Sequence, residues 1–137
     1  MKNRERALKR IRAIYPAALA AIIAQNEKNA VELVTTMKGF VPVDDGVLQS
    51  TIKNKDVSAN GRITQRISAG GPLTTKPVRN SEKGNAPMYD YALAQEHGTT
   101  DQPASPFFWP AWRLKRRKFR ANMNRAAKKA VQGAIKK

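Results

Sequence analysis

A chain of 137 residues without cysteine suits one domain with a hydrophobic core of its own, and it has neither a disulfide framework nor a thiolate metal site. Lys and Arg total 26 against 10 Asp and Glu, a formal charge of +16. That excess favours an acidic partner or nucleic acid, while a hydrophobic content of 41% excludes a merely disordered basic tail.

Leu8, Ile11, Tyr15, Leu19, Ile22, Asn26, Ala30, Leu33 and Met37 recur at three- and four-residue steps. They predict a long amphipathic helix over about 3–38, with a kink or restart at Pro16 and a stop at Gly39. The apolar run "AIYPAALAAIIA" is about half of the ~20 residues a membrane span needs. The pattern also continues through Asn26, Glu27 and Glu32, where a cleaved signal would end. No membrane partner is expected.

In "FVPVDDGVLQSTIKN", Pro42, the two acids and Gly46 predict a turn. A strand is expected after it, with Leu48, Ser50 and Ile52 on one face. Asn60-Gly61 is a tight-turn signal, so a β-hairpin over about 47–69 is the firmest local expectation. The stretch 70–87, rich in Gly, Pro and polar residues, predicts a long mobile loop. "MYDYALAQEHGT" is compatible with a strand or a short helix. A last helix over about 110–135 has a stripe of Trp112, Phe119, Met123, Ala126, Ala130 and Ala134. The expected fold class is α+β: a small antiparallel sheet with a hairpin, packed by a long N-terminal helix and a basic C-terminal helix.

Three kinds of chemistry compete. Acid–base catalysis needs a positioned proton carrier and an orienting partner. Glu96 and His97 would face opposite ways on a strand, and no nucleophile setting, phosphate-cradling loop or metal-ligand spacing is present. The expectation is a protein that is not an enzyme and has no cofactor or metal. Nucleic-acid binding has a source of charge in Arg113, Lys115, Arg116, Arg117, Lys118, Arg120, Arg125, Lys128 and Lys129, which would neutralise phosphates without reading sequence. No zinc finger, aromatic RNA-binding motif or convincing helix-turn-helix accompanies them, so a solvated face or an acidic protein partner serves equally well. The third reading is a joining module. Pro103, Pro106 and Pro110 stiffen a segment that presents Phe107, Phe108, Trp109 and Trp112 together, as core anchors or as interface residues.

The order of these features resembles the tail-component family of lambdoid siphophages, the neck or tail-completion proteins of the head–tail junction. Pro42, Asp44, Gly46, Leu48, Ser50 and Ile52 are similar to that family's proline–acid–glycine element before its first strand. Tyr91, Ala92, Glu96, Gly98 and Thr99 are similar to its tyrosine–alanine segment ending in Gly-Thr. Pro106, Phe107, Pro110 and Ala111 are similar to its proline–phenylalanine segment before the last helix. His97 and Trp109 depart from the pattern, in which an aromatic and a basic or polar residue are usual. The resemblance spans nearly the whole chain, residues 70–87 least. It implies a non-enzymatic virion protein assembled in the host cytoplasm as a ring, six copies by analogy. The implied partners are head-closure or connector proteins, tail terminator or tail-tube proteins, and genomic DNA in the lumen. A tail terminator or minor tail protein is the rival within that class, and a free nucleic-acid-binding protein the rival outside it. On this reading Glu96, Gly98 and Thr99 make a tight turn whose carboxylate caps backbone donors or pairs with an arginine, while the proline-aromatic segment anchors the final helix.

Overall fold

The computed structural model describes residues 2–42, 44 and 46–136. In chain order the elements are helix α1 (Lys2–Phe40), a short helix α2 (Val47–Thr51), strands β1 (Lys53–Asp56) and β2 (Gln65–Ser68), a 3-10 turn (Pro72–Thr74), strands β3 (Thr75–Pro77) and β4 (Met88–Asp90), helix α3 (Tyr91–His97) and helix α4 (Phe108–Lys136). The fold is α+β and mostly helical, with two separate two-stranded antiparallel sheets, β1-β2 and β3-β4.

α1 and α4 run antiparallel. Glu32 meets Lys115 and Lys118, and one turn earlier in α1 Asn29 meets Phe119 and Asn122. The core lies at one end of this pair, where Leu33, Val34 and Met37 of α1 and Ala111 and Phe119 of α4 enclose Val41, Leu48, Ile52, Ala92 and Phe107. Burying each large side chain contributes about 1.5–3 kcal/mol, so the folding free energy is concentrated there. α1 passes through Pro16 without restarting; Pro16 and Arg12 are both exposed, so water can take the carbonyl that proline leaves without a donor.

The expected apolar stripe of α1 is only half used. Ala30, Leu33 and Met37 are buried, Leu19, Ile22 and Asn26 are half-buried, and Leu8, Ile11 and Tyr15 are exposed. Equal rise along the two helices puts Ile14 at about the level of Ala134, and every described residue of α1 before Ile14 is exposed. The first three turns of α1 therefore project past the end of α4.

Two expectations are corrected. The hairpin is Lys53–Ser68, closed at Asn60-Gly61 as expected, with positive φ at both residues. The preceding Val47–Thr51 is helical rather than strand. Leu48 and Ile52, both buried, share a face at a spacing of four in either conformation, so the pattern cannot separate the two. Hydroxyls decide: Ser50 and Thr51 donate to the carbonyls of Val47 and Leu48, three residues back. Ser50 is exposed and does not join the face of Leu48. Val43 and Asp45, part of the expected turn, lie outside the described residues.

The second correction concerns 70–87. It is structured over 72–77, where Thr74 is fully buried and Thr75–Pro77 pairs with Met88–Asp90. Gly70, Gly71 and 78–87 lack helix and strand, and the Val78 N–H still donates to Pro87.

Candidate functional site

In the segment Asp90–Trp112 two carboxylates, Asp90 and Glu96, each accept three hydrogen bonds. Asp90 ends β4 and caps α3, accepting the Ala92 N–H at 2.9 Å. The same carboxylate accepts from Thr74 Oγ1 at 2.6 Å and the Gly71 N–H at 2.9 Å. β4, the 3-10 turn and α3 thus converge on one side chain. An aspartate just before a helical segment is an N-cap signal that a reading of 88–99 as strand or helix leaves undecided.

α3 ends at Gly98, where φ is 77°. A side chain there would come within 2.7 Å of the Ala104 backbone nitrogen, so glycine is required sterically as well as conformationally. The chain then folds back on α3: Ser105 N–H donates to Gln95 O, and Gln95 Nε2 donates to Ser105 O. That return places the start of α4 over Glu96. Its carboxylate accepts the N–H groups of Phe107, Phe108 and Trp109 at 2.8, 2.9 and 3.0 Å.

A helix leaves its first N–H groups without partners. At the start of α4 Glu96 takes those of Phe107, Phe108 and Trp109, and Pro110 has none to offer, so the terminus is fully accounted for by two sequence features eleven to fourteen residues apart. Glu96 is buried. Burial alone would raise its pKa, but the N–H donors of Phe108, Trp109 and Phe107, with a small contribution from His97, hold it below the usual carboxylate range. Asp90 behaves alike: burial raises it, and Thr74, Ala92 and Gly71 outweigh that. Both carboxylates are fixed anions filled by donors, suited to holding chain segments together. The expectation of a capping carboxylate describes Glu96, with no arginine involved. Glu96 and His97 lie on helix α3 and not on a strand, and His97 is exposed in its last turn.

The aromatic segment divides. Phe107 is fully buried and packs edge-on to Phe108, which packs edge-on to Trp109. Trp109 and Trp112 are 51% and 39% exposed, so they sit on the surface beside the anchor, as does Pro106. α4 begins at Phe108, two residues earlier than expected, with Pro110 inside the first turn, where proline is tolerated.

The first resemblance segment reaches the second. A small cavity of about 60 Å³ has Pro42, Asp44, Gly46 and Leu48 on one side and Tyr91 and Gln95 on the other. Lys76 Nζ stands 5.0 Å from the centre of the Tyr91 ring, within cation–π range. Thr99 closes the loop after α3 with Gln102.

The basic residues also divide. Lys115 and Lys118 share the Glu32 carboxylate, holding it below its ordinary pKa and tying α4 to α1. Arg125 bonds Asn122 within α4. Arg113, Arg116, Arg117, Arg120, Lys128 and Lys129 are exposed and have no carboxylate within ion-pair reach among the described residues. A groove of about 510 Å³ lies between α1, β2 and α4, floored by Ala30, Leu33, Ile67, Phe119 and Met123 and flanked by Trp112, Arg116 and Arg120. Among the described residues no cluster of three metal-ligating side chains occurs, and no helix is long and apolar enough to cross a membrane.

No family model, curated protein or solved structure matches the chain.

Proposed function

We propose that this protein is a structural subunit of a tailed phage or phage-like particle, closing into a ring that joins the capsid connector to the tail. The observation that carries the reading is the projecting end of α1. Leu8 and Ile11 continue the apolar seam of the α1–α4 pair beyond the level of Lys136, Tyr15 stands at the edge of that end, and the three are 42%, 63% and 72% exposed. An apolar stripe on three unsupported helical turns calls for a second surface. A ring uses two different patches per subunit, meeting head to tail. The stripe is one; the groove beside Trp112 is the surface on which we place the other. The order of the three resemblance segments, two of which meet at the cavity between Leu48 and Tyr91, supports the same assignment.

Size-exclusion chromatography with light scattering over a range of protein and salt concentrations tests this. The expected result is a discrete closed oligomer, six protomers by analogy, that Ile11→Asp/Tyr15→Asp reduces to monomer without loss of fold. A wild-type protein that stays monomeric at high concentration, alone and with connector or tail-tube proteins, would sink it.

A further inference from the structure

The projecting end of α1 has a second face. At ~100° per residue, Lys2, Arg6, Lys9 and Arg10 fall on the arc away from Leu8, Ile11 and Tyr15, while Arg4 and Arg12 stand among or beside those apolar residues, and Glu5 is the only acid among residues 2–13. This arc faces away from α4, a helix that itself has no acid. All these cations are exposed, and none has a carboxylate within ion-pair reach among the described residues, where the only ion pairs are those of Glu32. Four cations are thus held along one helix face with nothing to neutralise them.

What neutralises them is chosen by the composition of the face. Protein–protein interface centres are depleted in lysine and built around aromatic and apolar anchors. This arc has none, because the apolar residues of the segment lie on the opposite side. A phosphate backbone asks only for spaced cations and makes no apolar demand. Twelve helical residues cover about 18 Å, roughly half a turn of duplex at ~34 Å per turn. We infer that Lys2, Arg6, Lys9 and Arg10 of α1 form a binding site for the phosphate backbone of duplex DNA, without sequence preference. The inference rests on the ring reading only for where the duplex is met; the binding itself needs no ring. It also moves the centre of the basic surface from residues 113–129 to the far end of the helix pair.

The test is fluorescence anisotropy with a labelled duplex of about 30 base pairs, titrated from about 50 to 300 mM salt. Four phosphate contacts predict a slope of log affinity against log salt of about −4. Arg6→Gln/Lys9→Gln/Arg10→Gln should flatten that slope by about 3 and weaken binding at least ~10-fold at about 100 mM salt, with an unchanged circular dichroism spectrum. Light scattering on the same samples separates the two readings: Ile11→Ser/Tyr15→Ser should lower the oligomer mass and leave the slope in place. The inference is overturned by an unchanged slope in the triple variant, by polyglutamate binding as tightly as duplex at equal salt, or by anionic phosphatidylglycerol vesicles binding where duplex does not.

Discussion

Glu96 and Trp109 are thirteen residues apart, yet the carboxylate of one accepts the backbone N–H of the other at 3.0 Å. The same side chain holds Phe107 and Phe108, so one buried anion fixes where α4 starts and how Phe107 enters the core. Removing it leaves three N–H groups without partners. Helix caps are worth about 1 kcal/mol, and hydrogen bonds to a charged group about 1.5–3. Glu96→Ala should therefore lose about 3 kcal/mol, a fall in Tm of roughly 10 °C for a chain of this size. Glu96→Gln, with one acceptor oxygen and an NH2 group facing a donor, should lose less. Thermal unfolding followed by circular dichroism measures both, and an unchanged Tm in Glu96→Ala would show that water replaces the carboxylate at no cost.

The same anion gives the protein an acid limb. Glu96 and Asp90 both have pKa values held below their ordinary ones. A depressed carboxylate contributes stability that is fully present above the unfolded pKa and lost as pH falls through the folded one. Stability should be flat from neutral pH down to about 5 and fall below about 4. Glu96→Gln should start lower and fall less steeply, because one of the depressed carboxylates is gone. Parallel acid limbs in variant and wild type would assign the decline to self-repulsion of the cationic chain instead.

Much of this was legible in the sequence, and the failures have physical causes. Both long helices follow from apolar spacing, and the Asn60-Gly61 turn from its residues. Leu48 and Ile52 could not distinguish helix from strand, since a spacing of four serves both. The role of Glu96 was open between a cap and an ion pair until the fold-back of 98–106 set it under the start of α4. Asp90 went unselected because its N–H and hydroxyl partners, Gly71 and Thr74, lie in a stretch that reads as loop. Periodicity alone could not show that Leu8, Ile11 and Tyr15 lack cover, because it reports a face without reporting what meets it.

Two glycines with nearly equal φ should respond differently to alanine. Gly46 and Gly98 have φ of 75° and 77°, but among the described residues a side chain at Gly46 meets nothing within 4 Å, whereas at Gly98 it meets the Ala104 backbone nitrogen at 2.7 Å. Gly46→Ala should cost about 1–2 kcal/mol, the ordinary left-handed penalty. Gly98→Ala should cost more than that, because the loop that carries Ser105 back to Gln95 has to move. Urea denaturation separates them, and equal losses would mean that the return loop yields freely.

Burial along α1 sets up a gradient of local stability that hydrogen exchange can read. Asn29, Ala30, Leu33, Val34 and Met37 are buried, whereas every described residue before Ile14 is exposed. Exchange follows local opening, and three turns of helix with no packed side chain are marginal in water. In the free protein, amides of 2–13 should exchange within seconds, while those of 29–41 should need global unfolding. If Leu8, Ile11 and Tyr15 are covered by a neighbouring subunit, assembly should slow exchange in 2–22 and leave 29–41 nearly unchanged. Adding duplex DNA to the Ile11→Ser/Tyr15→Ser variant should protect 2–13 without protecting the groove beside Trp112. Protection that spreads to the groove with DNA alone would place the nucleic acid there, on Arg116 and Arg120, and not on the end of the helix pair.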